Sequence, residues 1–147
     1  MADGFDWQRL SMGTKGLLIS GAVLIISLFL PWQGVNFGGP FGGFSVNGFR
    51  GLGILVFLLA LGVIIWELVI AMTTVNTGTM SPAMISAAGG GLAALLTIIH
   101  FLTNLTAVTW GAFVGLLAGL AMAYAAWLRF NESKTAPAPP PAPPPAA

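Results

Sequence analysis

Four apolar stretches, each about long enough to cross a lipid bilayer, divide this sequence: residues 16–32, 52–72, 82–103 and 107–128. The hydrocarbon core of a bilayer takes about 20 apolar residues per helix. No water is present there to pair exposed backbone, so a spanning segment closes its own hydrogen bonds, as a helix does. Polar or turn-forming residues separate the stretches, which favours four helices over two long ones. The fold class expected is therefore an all-α membrane protein, a four-transmembrane-helix bundle occupying residues 16–130. The first stretch follows Arg9 and Lys15, as a secretory signal would. Its far end, Leu30-Pro31-Trp32-Gln33, lacks a small-x-small cleavage pattern, so it is read as an uncleaved span.

Charge is too scarce for the alternatives. Of 147 residues, 6% are charged and 56% hydrophobic, against about 25% charged in a soluble domain. That excludes an ordinary soluble enzyme and a nucleic-acid binder. The formal net charge of +1 supplies no field to steer an acidic partner. With no cysteine, there is no thiol catalysis, thiolate metal site or disulfide. The partners expected are the lipid bilayer and either a second copy of the chain or another membrane protein.

Lysine and arginine set the orientation. Arg9 and Lys15 precede span one, Arg129 and Lys134 follow span four, and Arg50 alone lies between spans one and two. An even number of spans puts both termini on one side, and positive charge assigns that side to the cytoplasm. Tryptophan and tyrosine favour the headgroup level. Trp32 and Trp110 fall at the outer ends of their spans; Trp7, Tyr124 and Trp127 fall at the inner side.

Outside the spans, residues 1–15 read as a cytoplasmic interfacial segment or as a frayed start to span one. The outer loop, residues 33–50, is rich in Gly and Phe. Val35-Asn36-Phe37 and Phe44-Ser45-Val46 flank a Gly-Gly-Pro-Phe-Gly-Gly centre, a pattern suited to a small β-hairpin. Its phenylalanines either dip into the interface or mark an interaction surface. Residues 131–147 read as a disordered Pro/Ala-rich cytoplasmic tail. Residues 135–147, which hold seven of the ten prolines, would extend about 40 Å as polyproline II.

Helices in lipid associate where small residues let backbones approach and where polar groups pair. Span four carries Gly111, Gly115, Gly119 and Ala123 at intervals of four, a continuous small-residue ridge. It should contact another helix, in the same chain or in a second copy. Span three has Ser86, Gly90, Ala93, Thr97, His100 and Asn104 on one face, and span two has Gly53, Ala60, Glu67 and Ala71. These stripes should face inward, with Leu, Ile, Val and Phe toward lipid.

Glu67 is the acid that needs explaining. It lies about 7 Å inside the inner end of span two, at 1.5 Å per residue. A carboxylate at membrane depth is by default a functional hypothesis. It is either a proton or cation site or a structural acid paired with Lys15 or Arg129, and its shallow depth favours the second. His100 lies near the outer end of span three, about 20 Å from Glu67 along the bilayer normal, so the two form no relay. Arg50 and Asn104 are its nearer polar neighbours, a possible outer polar site. One His without Cys or a carboxylate cluster supplies no metal or haem site, so no cofactor is expected. No nucleophile set or phosphate loop is present, so no enzymatic activity is expected.

Ser27-Leu28-Phe29-Leu30-Pro31-Trp32 closes span one. A Gly-rich loop ending Ser45-Val46-Asn47-Gly48-Phe49 and three further spans follow. Over residues 16–128 this resembles uncharacterised small four-span membrane proteins common in actinobacteria, a resemblance that implies architecture and a bacterial cytoplasmic membrane but no activity. Small multidrug transporters also have four helices and an embedded Glu, but theirs lies in the first helix, where this chain has no acid. The function expected is that of an accessory or scaffolding subunit, acting through helix packing and the outer loop. The alternative is a small homo-oligomeric transporter or channel using Glu67.

Overall fold

The computed structural model describes residues 7–36, 43–73, 78–103, 105, 108–134 and 144–146. A single 3-10 turn at Trp7–Arg9 leads into α1, Met12–Phe29. Two antiparallel strands follow, β1 (Pro31–Asn36) and β2 (Gly43–Asn47). Then come α2 (Leu52–Met72), α3 (Pro82–Thr103) and α4 (Trp110–Lys134). All four helices are long and apolar enough to cross a membrane, and the chain is an integral membrane protein.

Local chemistry sets the helix ends. Ser11 caps α1, its Oγ accepting the Thr14 N–H at 3.2 Å. Ser81 does the same for Met84 at the head of α3, and Pro82 takes the first helical position, where its missing N–H costs nothing. Before α2, Gly51 has φ of 57°, a backbone region that side chains disfavour. The hydroxyls of Ser20, Ser27, Ser86 and Thr97 bond to carbonyls on their own helices, so they enter the bundle satisfied.

Each helix packs on its sequence neighbours, and α4 closes the ring onto α1. The ring is antiparallel. One end gathers the start of α1 and the ends of α2 and α4, joined by Arg129. The other gathers the end of α1, the hairpin, the start of α2 and the end of α3, where His100 meets Gly48. The inward stripes are as expected: Ser86, Ala93 and Thr97 of α3 and Ala60 and Glu67 of α2 are fully buried. Asn104 lies outside the described residues.

The hairpin is tied to the bundle by backbone. Gly48 N–H donates to Leu28 C=O at 2.9 Å, and Thr109 N–H to Trp32 C=O at 3.0 Å. The Thr109 hydroxyl bonds the Pro31 carbonyl, and Gln33 pairs with Val108. A two-stranded hairpin alone is marginal in water, and here the end of α1 and residues 108–109 hold its base. A register shift between Pro31 and Gln33 turns Trp32 out of the ladder.

Four boundaries differ from the sequence reading. Helix α1 starts at Met12 rather than residue 16, because Ser11 caps it. It stops at Phe29, because Pro31 cannot continue it. Helix α4 starts at Trp110 and runs to Lys134, six residues past the expected span, so Asn131–Lys134 are helix rather than tail. Trp32 does not face lipid headgroups as a belt ring would: it is 1% exposed, packed inside the protein, because Gly115 leaves room for its indole. The centre of the hairpin and residues 135–143 lie outside the described residues.

Candidate functional site

The Glu67 carboxylate is fully buried. The last turns of α2 carry it to the bundle interior, on the same face as Val63 and Ala60. Arg129, on α4, donates from Nε to Glu67 Oε1 at 3.1 Å and from Nη1 to Glu132 Oε1 at 3.2 Å. Glu132 reaches across to α1. Its Oε2 accepts the Gly13 N–H at 3.0 Å and its Oε1 accepts the Ser11 hydroxyl at 2.8 Å. One guanidinium thus serves two carboxylates, and the second also neutralises the positive end of the α1 dipole. The result is a continuous polar joint between α2, α4 and α1.

Of the two bases expected near Glu67, Arg129 is its partner and Lys15 is not. The ammonium of Lys15 lies 5.8 Å from the centroid of the Trp7 ring. Glu67 Oε2 has no hydrogen-bond partner, the one such buried side-chain atom among the described residues. It lies beside an open pocket of about 210 Å³ lined by Arg9, Ser11, Thr14, Glu67 and Arg129.

At the hairpin end, His100 Nε2 lies 2.9 Å from the Gly48 carbonyl oxygen. A carbonyl only accepts, so Nε2 carries the proton. A Cβ at Gly53 would overlap that carbonyl, so glycine there is what lets the loop descend onto His100. The His100 ring also packs on Trp32, centroids 4.7 Å apart and tilted 36°. The Trp32 indole N–H donates to Ser27 C=O at 2.8 Å. Arg50 and His100 line one pocket, of about 530 Å³, with Gln33 and Thr103. Asn104, the third residue expected there, is not among the described residues.

The ridge of α4 faces into its own chain. Gly111 lies under the Pro31 carbonyl and Gly115 under the Trp32 ring. A Cβ on Gly119 would come within 2.8 Å of Thr97 Cγ2 on α3. Ala123 is half-buried against the core. These positions are spent on contacts within the chain.

Sequence reading missed Glu132, Ser11 and Gly13. The signal was present. Ser11 is a favoured N-cap residue ahead of the first apolar stretch, and Arg129 and Glu132 stand three apart, the spacing that places two side chains together on a helix. Among the described residues, no three His, Cys, Asp or Glu side chains gather as a metal site would need.

Comparison of the chain with protein-family models, with curated proteins and with solved structures finds no match.

Proposed function

We propose that the chain is a non-enzymatic accessory or scaffolding subunit of a bacterial cytoplasmic membrane, with both termini in the cytoplasm. One observation carries this reading: the buried polar side chains are used as joints within the fold. Glu67 holds Arg129, His100 meets Gly48, and Trp32 holds Ser27. A bundle pinned at both ends suits a rigid carrier for the hairpin, which stands on the end opposite the termini. Support for the orientation comes from Arg9, Lys15, Arg129 and Lys134, which all lie on elements at the terminal end, while Arg50 lies at the other. Because the glycine ridge is occupied internally, the faces left for a partner are the hairpin and the lipid-facing sides of the helices.

Purification from native membranes in mild detergent, followed by native mass spectrometry of the intact complex, tests this reading. A stoichiometric foreign protein is the expected result. A lone chain, or copies of this chain only, would overturn it.

A second reading, a small transporter or channel using Glu67, is favoured by one observation: the unpartnered Oε2 beside an open pocket. It requires Glu67→Gln to abolish transport in a protein that still folds.

A further inference from the structure

Backbone bonds fix the turn that leads from the hairpin into α2. Gly48 N–H donates to Leu28 C=O at 2.9 Å, His100 Nε2 donates to Gly48 C=O at 2.9 Å, and Gly53 N–H donates to Arg50 C=O at 3.0 Å. Arg50 therefore has a set backbone position. Its side chain stands exposed at a pocket of about 530 Å³, which Gln33, Gly51, Leu52, His100 and Thr103 also line.

No acidic side chain of this protein reaches Arg50. The four acids are Asp3, Asp6, Glu67 and Glu132. Glu67 and Glu132 are bound to Arg129 at the terminal end. Asp3 and Asp6 precede Trp7 by at most four residues, so even a fully extended chain keeps them within about 14 Å of it. Helix α1, of 18 residues, separates the two ends by about 27 Å. Among the described residues, nothing pairs with the Arg50 guanidinium. The counter-charge for the hairpin end thus comes from outside the chain. The positive end of the α2 dipole opens beside Arg50 with no capping side chain, which adds to the attraction for an anion.

The surface below the pocket decides which anion fits. Leu55 follows Leu52 by three residues on α2, and Ile99 precedes Thr103 by four on the adjacent α3. Each stands one turn nearer the bilayer centre, on the face that lines the pocket. Both are exposed, by 49% and 37%. Trp110, exposed at the same end, marks the headgroup level. A guanidinium at that level above an apolar surface matches a molecule with an anionic head and hydrocarbon chains running into the membrane. A carboxylate on a partner protein would satisfy Arg50 and make no use of Leu55 and Ile99.

We propose that this pocket seats the phosphate of a phospholipid from the leaflet on the hairpin side, paired with the Arg50 guanidinium, with the acyl chains over Leu55 and Ile99. The planar fork of an arginine suits two phosphate oxygens at once. No acid at this end receives an ammonium, so an anionic phosphatidylglycerol is held better than a zwitterionic phosphatidylcholine. The site depends neither on the sidedness of the chain nor on a protein partner, so its failure and that of the scaffold reading are told apart.

The test uses the full-length protein, stripped of lipid in detergent and offered phosphatidylglycerol, phosphatidylcholine and diacylglycerol with identical acyl chains. Bound lipid is counted by native mass spectrometry. Phosphatidylglycerol should be retained over diacylglycerol by about tenfold, the worth of one charge-assisted hydrogen bond, with phosphatidylcholine between them. Arg50→Gln should erase the preference. Arg50→Lys should keep part of it, since an ammonium restores the charge without the fork. Lys134→Gln removes the same charge from the terminal end and should leave the preference as it was. Inorganic phosphate and glycerophosphoglycerol, which lack chains, should displace the lipid only in large excess. Displacement by either at the concentration of the lipid itself would make this a site for free anions and overturn the proposal. Equal retention of the three lipids would overturn it too, as would a preference that survives Arg50→Gln or falls equally with Lys134→Gln. Unchanged lipid retention in Arg50→Gln, with loss of a protein that co-purifies from native membranes, would assign Arg50 to a partner's carboxylate instead. Because the lipid series is run on the unaltered chain, a variant that fails to fold does not decide the outcome.

Discussion

The indole of Trp32 fills the hollow left by the missing side chain of Gly115, with the Ser27 hydroxyl 3.0 Å from where a Cβ would stand. The ring joins the base of the hairpin to α4, and its N–H pins it to the end of α1. A residue at the edge of the outer loop therefore sets the spacing of two helices.

Enlarging Gly115 should unseat the ring. Gly115→Leu overpacks a filled site, a change that costs about 1–3 kcal/mol or more. Thermal unfolding in detergent, followed by near-ultraviolet circular dichroism, should show the loss. Removing the ring first, in Trp32→Ala, should make Gly115→Leu cheaper. If the two changes simply add, the contact is not what makes glycine necessary at 115.

Arg129→Leu should cost more than Glu67→Gln. The first leaves Glu67 buried with both oxygens unpaired, a loss of about 3–5 kcal/mol for a broken buried pair. The second leaves Arg129 its bond to Glu132. Replacing both, Glu67→Leu with Arg129→Leu, should recover much of the loss. Unfolding midpoints of the three variants in one detergent would check the order.

Glu132→Ala should loosen the start of α1 while the bundle remains. It removes the acceptors for Gly13 N–H and Ser11 Oγ, worth about 1 kcal/mol in total by analogy with a lost helix cap. Amide hydrogen exchange at Gly13 should quicken, and exchange in the middle of α3 should not. Equal quickening throughout would mean that Glu132 supports the whole fold rather than one end.

His100→Phe keeps the ring but loses the bond to Gly48, a net cost of about 0.5–1.5 kcal/mol. Faster exchange should appear at Gly48 and Phe49, with a change in the near-ultraviolet signal of Trp32.

The chain has no cysteine, so single-cysteine labelling reads its sidedness directly. Asn47→Cys should react with an impermeant maleimide on intact cells, and Lys134→Cys only after lysis. The reverse pattern would invert the orientation.

The bounds of α2 and α3 were legible in the sequence to the residue, because glycine, proline and polar turns bracket them. The ends of α1 and α4 were not. Apolarity alone stops a span at Leu128, yet Arg129 and Glu132 stay helical because their partners lie on neighbouring helices. Arg129 was a legible partner of Glu67, since it enters from the same side of the bundle. Glu132 was missed although it stands three residues from Arg129, because a charge beyond the last apolar residue reads as solvated tail. Trp32 was misplaced for a related reason. A ring at the end of a span belongs at the interface unless a helix distant in sequence leaves it a hollow, and Gly115 is such a feature.

The bond from Glu132 to Gly13 joins residues 119 apart in sequence, so the chain closes on itself only when its last helix is present. At the 5–20 residues per second of translation, α1 exists for about 6–24 seconds before its clasp is made. Until then Ser11 lacks its long-range partner and Trp32 lacks its hollow. A chain interrupted before α4 thus leaves a tryptophan and a buried-type acid without their seats.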